Sequence, residues 1–211
     1  MKQNEKELFK TVVGSDMWSM NQPDSDYDVM DIYQQSTKEI LSGYTVKTGK
    51  AQKKYTENNI EYDVQFMEIG HLINLLIKGN INAIWTVTSG VVLLDSPVLH
   101  QLREITTKNL SKRSYDSLWG MAINQYKDDL KRPNMPVNKA YKTCLRTVKF
   151  GIALFNTGEL KFEPVRHPVT QDEIDTAFLE LNDAYALSKL PKEPDEKQFR
   201  DFLYELRVAD I

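Results

Sequence analysis

Cysteine is nearly absent from this chain. Cys144 is the only one in 211 residues, so no intramolecular disulfide can form and a disulfide-stapled scaffold is excluded. Histidine is scarce as well. His71, His100 and His167 lie far apart in no metal-ligand spacing and read as surface or cap residues. No apolar run reaches membrane length, and the polar start Met1–Lys6 carries no signal-peptide core. These absences make a soluble, cytoplasmic protein the expectation. There is no internal repeat and no low-complexity tract.

What is present is ordinary for a globular protein: 41% hydrophobic and 27% charged residues over a length that allows one large domain or two small ones. Net charge is −3, which argues against a general nucleic-acid binder. The charge is uneven, however. Residues 108–150 hold ten Lys/Arg against three Asp/Glu, whereas residues 151–211 hold seven against thirteen. A basic middle beside an acidic end points to a localised anion site.

The chemistry concentrates in Val12–Tyr33. Two β-branched residues lead into Gly14-Ser15, a polar connection broken by Pro23 follows, and Ser25-Asp26-Tyr27-Asp28-Val29 opens a strand expected over Asp26–Tyr33. Side chains i and i+2 share a strand face, so Asp26 and Asp28 stand side by side. Two such carboxylates repel unless a cation sits between them, and hard divalent cations take oxygen ligands together with substrate phosphates. Gly14 lacks the Cβ that would block a close approach to a phosphate. Asp24 lies in the turn, and Asp31, an odd step from Asp28, faces away. Farther on, Ile60–Met67 alternates apolar and polar residues. If Ile60 and Val64 face the core, Asp63 is free to join Asp26 and Asp28 from a neighbouring strand.

Gly14-Ser15, Asp26-Tyr27-Asp28 and Asp63, in that order, resemble the DNA polymerase beta-type nucleotidyltransferase superfamily, and the Ser25–Asp28 form is most similar to the small predicted nucleotidyltransferases of bacteria and phages. Met17-Trp18-Ser19 departs from the aromatic residue and glycine that many relatives carry after Gly-Ser. The resemblance implies a small mixed β-sheet catalytic core, an NTP substrate, and two Mg²⁺ or Mn²⁺ ions held by Asp26, Asp28 and Asp63. It also implies that Gly14 and Ser15 bind the nucleotide's phosphates. The acceptor hydroxyl stays open among an RNA 3′ end, a small molecule and a protein. A non-catalytic nucleotide- or RNA-binding partner with the same fold is the alternative. A phosphohydrolase is a third reading, disfavoured by the lack of histidines near Asp26 and Asp28.

The rest of the chain reads as follows. Glu5–Thr11 is expected to be a short helix and Tyr44–Tyr55 a strand. Helices are expected over Ile69–Lys78, Asn80–Thr88 and, behind the Ser96-Pro97 cap, to about Lys108; Val91–Leu94 reads as a buried strand. Helices then follow over Tyr115–Leu130, Asn138–Asn156, from Thr170 to about Leu190, and over Asp195–Val208, with a break at residues 131–136. The fold class is therefore α/β (α+β): a catalytic core over residues 1–107 and a helical region over 108–211.

Lys139, Lys142, Arg146 and Lys149 recur at helical spacing along one face, opposite Leu145, Val148 and Ile152. Alone, such a stripe is a solvated surface. Set beside the resemblance, Lys139 and Arg146 match the helix that carries cations to the nucleotide, while Lys149 is assigned to the helix-end dipole. Trp18 is open between a base-stacking residue and a hydrophobic lid. Trp85, Trp119 and Cys144 read as core. Gly158–Pro168 is irregular and carries no assignment.

Overall fold

The computed structural model describes residues 5–21, 25–46, 51–131 and 137–211. Among them a five-stranded mixed sheet runs in the order β3-β4-β2-β1-β5. The strands are β1 (Glu5–Val12), β2 (Tyr27–Gln35), β3 (Ala51–Glu57), β4 (Ile60–Glu68) and β5 (Val92–Leu94). Only β2 and β4 pair in parallel; β1 with β2, β1 with β5 and β3 with β4 are antiparallel. The α/β class expected from sequence is what the chain adopts.

β1 replaces the helix expected over Glu5–Thr11. Its register shifts between Glu7 and Phe9, so Leu8 and Phe9 are both buried and the period-two alternation is broken. Pairing on both edges, to β2 and β5, outweighs the local helix preference of Glu5–Thr11. The strand expected over Tyr44–Tyr55 is β3, which begins later at Ala51; residues 47–50 lie outside the described residues. β3 is exposed throughout and lies at the sheet edge, where Lys53 and Lys54 discourage further strand pairing. β5 is not buried: Leu93 is 49% exposed.

The two faces of the sheet differ. Val12, Val29 and Val64 form a small cluster on one face, with Tyr27, Tyr62 and Phe66 packed around it. Phe9, Met30, Ile32 and Met67 face the other way, into the main core. The expected inward row of Ile60 and Val64 is thus corrected. Val64 faces the small cluster, Ile60 is exposed, and Asp63 shares its face with the main core.

The helices follow their caps. Glu68 accepts a bond from the Gly70 amide at 2.6 Å to open α3 (Ile69–Ile77), and Asn80 opens α4 (Ile81–Thr88). Ser96, with Pro97 behind it, opens α5 (Pro97–Lys108), taking α1 as Gly14–Met17 and α2 as Thr37–Leu41. The C-terminal half holds α6 (Ser114–Lys131), α7 (Val137–Thr157), α8 (Gln171–Leu187), capped by Thr170, and α9 (Glu196–Val208), capped by Asp195. Residues 132–136 of the expected break lie outside the described residues.

At Gly151 of α7, a β-carbon would come within 2.7 Å of Leu118 on α6 and 2.8 Å of Leu181 on α8, so glycine there permits the three-helix contact. α9 returns to the sheet. Arg207 pairs with the buried Glu68 and donates to the Gln35 carbonyl at 2.7 Å, and Asp210 accepts from the Thr37 amide at 2.8 Å. One hydrophobic cluster includes residues of β1, α3, α7 and α9.

Candidate active site

Asp28 and Asp63 are register partners across the parallel pair β2–β4. Asp26 immediately precedes β2. The three carboxylates each offer an oxygen within 4.8 Å of the others. The sequence determined part of this, because the i,i+2 rule aligned Asp26 with Asp28. The parallel register that delivers Asp63 came from the tertiary pairing.

The cluster is electrostatically loaded. Burial pushes the Asp28 carboxyl above the usual carboxylate range, with the negative charges of Asp26, Asp63 and Asp16 adding to the rise. Asp63 behaves oppositely. Its side chain is covered, but by solvent-facing groups: Lys54 Nζ at 2.8 Å and Gln52 Nε2 at 2.5 Å. Their hydrogen bonds to the charged form, Lys54's first, hold its carboxyl below the usual range despite its low exposure. The Lys54 ammonium is in turn held more firmly protonated by Asp63. An ammonium thus compensates one carboxylate of the three. Acidic groups packed this closely, with one half-buried carboxyl raised by burial and by its neighbours' charges, fit a divalent cation.

Gly14 explains the glycine of the motif. It sits at φ +67°, and a β-carbon there would fall on the Asp28 carboxylate, 2.9 Å from its Cγ. The Val13 amide also donates to the Asp28 carbonyl at 2.8 Å. α1, which begins with Gly14 and Ser15, therefore departs from the sheet directly beside the carboxylates.

Three cavities surround this point. The first, about 490 Å³, contains Ser15, Asn21 and Ser25 on one side and Lys139, Lys142, Arg146 and Arg166 on the other. The second, about 250 Å³, contains Asp26 and Asp63 with Lys54, Tyr55 and Tyr62. The third, about 380 Å³, lies on the core side of the sheet and includes Gly14 and Arg146.

A family model of RlaP, the RNA repair pathway DNA polymerase beta family, matches residues 1–166. The chain belongs to this family. The reaction class of the family is nucleotidyl transfer, and the match spans the sheet, α1 to α7 and the segment through Arg166. A crystal structure of a nucleotidyltransferase-like protein from Exiguobacterium sibiricum 255-15 is similar over 97% of this chain and 69% of that one, at 16% identity and a TM-score of 0.36. No curated protein matches the chain. Among the described residues, no helix is long and apolar enough to cross a membrane.

Within this DNA polymerase beta-family chain, the described residues singled out from sequence fall as follows. Ser15, Lys139 and Arg146 meet in the first cavity, and Gly14 backs Asp28. Lys149 points elsewhere: it lies 3.6 Å from Glu173 of α8, eight residues before the end of α7, so it does not serve the helix end. Asp31 pairs with Lys10 at 3.2 Å on the opposite sheet face, as the odd step required. Asp24 lies outside the described residues. Trp18 is neither a lid nor a stacking platform. It is 1% exposed and packs edge-on against Trp85, Phe150 and Phe162, with the Arg146 guanidinium 5.2 Å over its ring.

Three residues escaped the sequence reading. Arg166 belongs to the unassigned segment. Phe162, which packs on Trp18 and Phe150, and the buried Val165 anchor that segment, and Arg166 donates to the Ser19 carbonyl at 3.2 Å. Nothing periodic marks it; only the tertiary fold brings it to the cavity. Asp16 follows Gly14-Ser15 directly, which was a signal. One of its oxygens is buried without a hydrogen bond. Burial raises its carboxyl, with the Asp26 charge adding to the shift. Lys54 was hidden because no sequence pattern fixes the β3–β4 register that sets it opposite Asp63.

Proposed function

We propose that the protein transfers a nucleoside monophosphate from an NTP to an acceptor hydroxyl and releases pyrophosphate, using two Mg²⁺ or Mn²⁺ ions. The observation that carries this reading is the convergence of Asp26, Asp28 and Asp63 near a cationic cavity that Ser15 lines. Asp26 and Asp28 would hold both ions, and Asp63 the one nearer the acceptor. When bound, the ions supply charge neutralisation at phosphorus and a lowered pKa for the attacking hydroxyl.

The chain's own groups do the rest. Lys139, Arg146 and Arg166 bind the triphosphate through charge-assisted bonds, and Ser15 offers its hydroxyl. The acceptor oxygen forms its bond to the α-phosphorus as the bond to pyrophosphate breaks, and its proton passes to Asp63. While Lys54 is bonded to Asp63, that carboxylate is a poorer base, so Lys54 withdraws before the step. Residues 1–107 serve as catalytic core, and residues 108–211 bring the cations of α7 to it. The family's RNA repair description favours an RNA 3′ end as acceptor over a small molecule or a protein.

The test is incubation with each labelled NTP, with Mg²⁺ or Mn²⁺, and with RNA, protein or small-molecule fractions. Metal-dependent label on RNA is the expected result. Label on another fraction reassigns the acceptor, and no label on any fraction overturns the activity.

A further inference from the structure

The third cavity is not accounted for by phosphates or by the carboxylates, and the polar groups of three of its side chains, Gln65, His71 and Trp85, are not engaged by the fold. It holds about 380 Å³ and includes Gln65, His71, Asn82, Trp85, Gln125 and Arg146. Trp85 is 5% exposed, and its buried indole N–H has no hydrogen-bond partner. A buried indole N–H ordinarily has one, and an unpaired donor of this kind calls for a ligand or a water. The amide of Gln65 and the imidazole of His71 are half-buried and make no hydrogen bond to a described residue. Gln125 accepts from the Thr147 hydroxyl at 2.8 Å with its oxygen, which leaves its NH₂ for the cavity.

Part of the wall is apolar. Met30 and Met67 lie on the sheet side and the Trp18 ring beside them. No carboxylate is among the lining residues, so a polycationic ligand has no counter-charge there. Volume agrees with a small aromatic ligand, at the low end of the range of about 300–1,000 Å³ typical of ligand sites. Amide side chains, an imidazole and an indole N–H supply both donors and acceptors. That set is suited to the hydrogen-bonding edge of a planar heterocycle, with flat or soft walls against its faces.

The position is equally specific. Met30 and Gln65 are register partners, two residues beyond the pair Asp28 and Asp63 on the same sheet face. Gly14, whose neighbour Ser15 lines the phosphate cavity, lines this one. Arg146 borders both. A nucleotide with its phosphates at Ser15 and Arg146 can therefore reach this cavity around α1.

We infer that this amide-lined cavity binds a nucleobase, read by Trp85, Asn82 and Gln65. The inference rests on the transferase reading above and adds where the base lies and which residues select it. Two sources share this chemistry: the base of the incoming NTP and the terminal base of an RNA acceptor.

The experiment titrates the full chain, with Mg²⁺ present, against tripolyphosphate, the four NTPs, the four nucleosides and a short single-stranded RNA. Tryptophan fluorescence and calorimetry provide the readouts. Native protein is expected to bind at least one NTP ten times or more tighter than tripolyphosphate. Trp85→Phe and Asn82→Ala should each remove most of that excess and leave tripolyphosphate binding unchanged. Asn82 is exposed, so its variant does not threaten the fold. If the same variants weaken RNA binding and not NTP binding, the base is the acceptor's and the cavity assignment stands. Equal affinity for NTP and tripolyphosphate, with RNA binding indifferent to both variants, overturns the inference while leaving the transferase reading intact. Failure of tripolyphosphate, every NTP and RNA to bind overturns both.

Discussion

Gly14 lies against the carboxylate of Asp28, with no room between them for a single methyl group. Gly14→Ala would place that methyl on the carboxylate and hold a non-glycine residue at φ +67°. The backbone strain alone costs about 1–3 kcal/mol. Each kcal/mol lowers Tm by roughly 2–4 °C in a chain of this size. Metal-dependent turnover should fall further than stability does, on the order of a hundredfold, because the displaced group is Asp28. Thermal melts and transfer assays on the same preparation check this, and near-native turnover would refute it.

Asp28→Asn and Asp26→Asn should each lower turnover on the order of a thousandfold, consistent with losing several kcal/mol of transition-state stabilisation. The ion-free protein should not melt earlier. Asp28 is crowded by Asp26, Asp63 and Asp16, and removing one charge relieves that repulsion. A lower ion-free Tm for Asp28→Asn would show that the carboxylate supports the fold instead.

Arg146→Ala and Arg166→Ala should each raise the apparent NTP constant about ten- to a hundredfold. Charge-assisted bonds to phosphate contribute roughly 1.5–3 kcal/mol, and 1.4 kcal/mol is a decade. Lys149→Ala should leave the constant unchanged, since Lys149 is turned to Glu173. Steady-state kinetics on the three variants separates the cavity from the rest of the helix face. The assignment fails if Lys149→Ala does the greater damage.

Lys54→Met should tighten Mg²⁺ or Mn²⁺ binding in the absence of nucleotide by a few-fold. The ammonium lies 2.8 Å from Asp63 and competes with any cation there. Calorimetric titration of the nucleotide-free protein measures this directly. Unchanged or weaker metal binding would mean that Lys54 does not occupy the cation's place.

Lys10 and Asp31 form an ion pair in which both groups are raised, for different reasons. Asp31, whose side chain is 2% exposed, has its carboxyl raised by burial despite the attraction of Lys10. Lys10, 31% exposed, is also raised: its bonds to Glu7 and Asp31 outweigh its own desolvation. The buried partner governs stability in acid, since Lys10 stays charged throughout that range. Below the unfolded carboxyl's range both states hold the proton and Asp31 costs nothing. As pH rises, the unfolded chain ionises first, so stability falls until the folded carboxyl ionises as well, and the deficit then persists. Asp31→Asn should therefore melt higher than the native protein at pH 7, with the gap shrinking as pH falls through the raised range of the folded carboxyl and closed below about 4. A gap that widens in acid would reverse the sign.

Sequence by itself determined the order Gly14-Ser15, Asp26-Tyr27-Asp28 and Asp63, the facing of Asp26 with Asp28, the outward turn of Asp31, and most helices. Each of these depends on local rules: a two-residue strand period, a cap, or a glycine where φ is positive. Tertiary structure decided what those rules cannot reach. β1 reads as a helix because the bulge at Leu8 erases its alternation, and only pairing to β2 and β5 makes it a strand. Trp18 became core through rings arriving from α4, α7 and the segment holding Phe162. Lys54, Arg166 and the amide-lined cavity depend on register and packing between residues far apart in the chain. No local pattern encodes such proximity, because the free energy that sets it lies in burial and pairing across the whole fold.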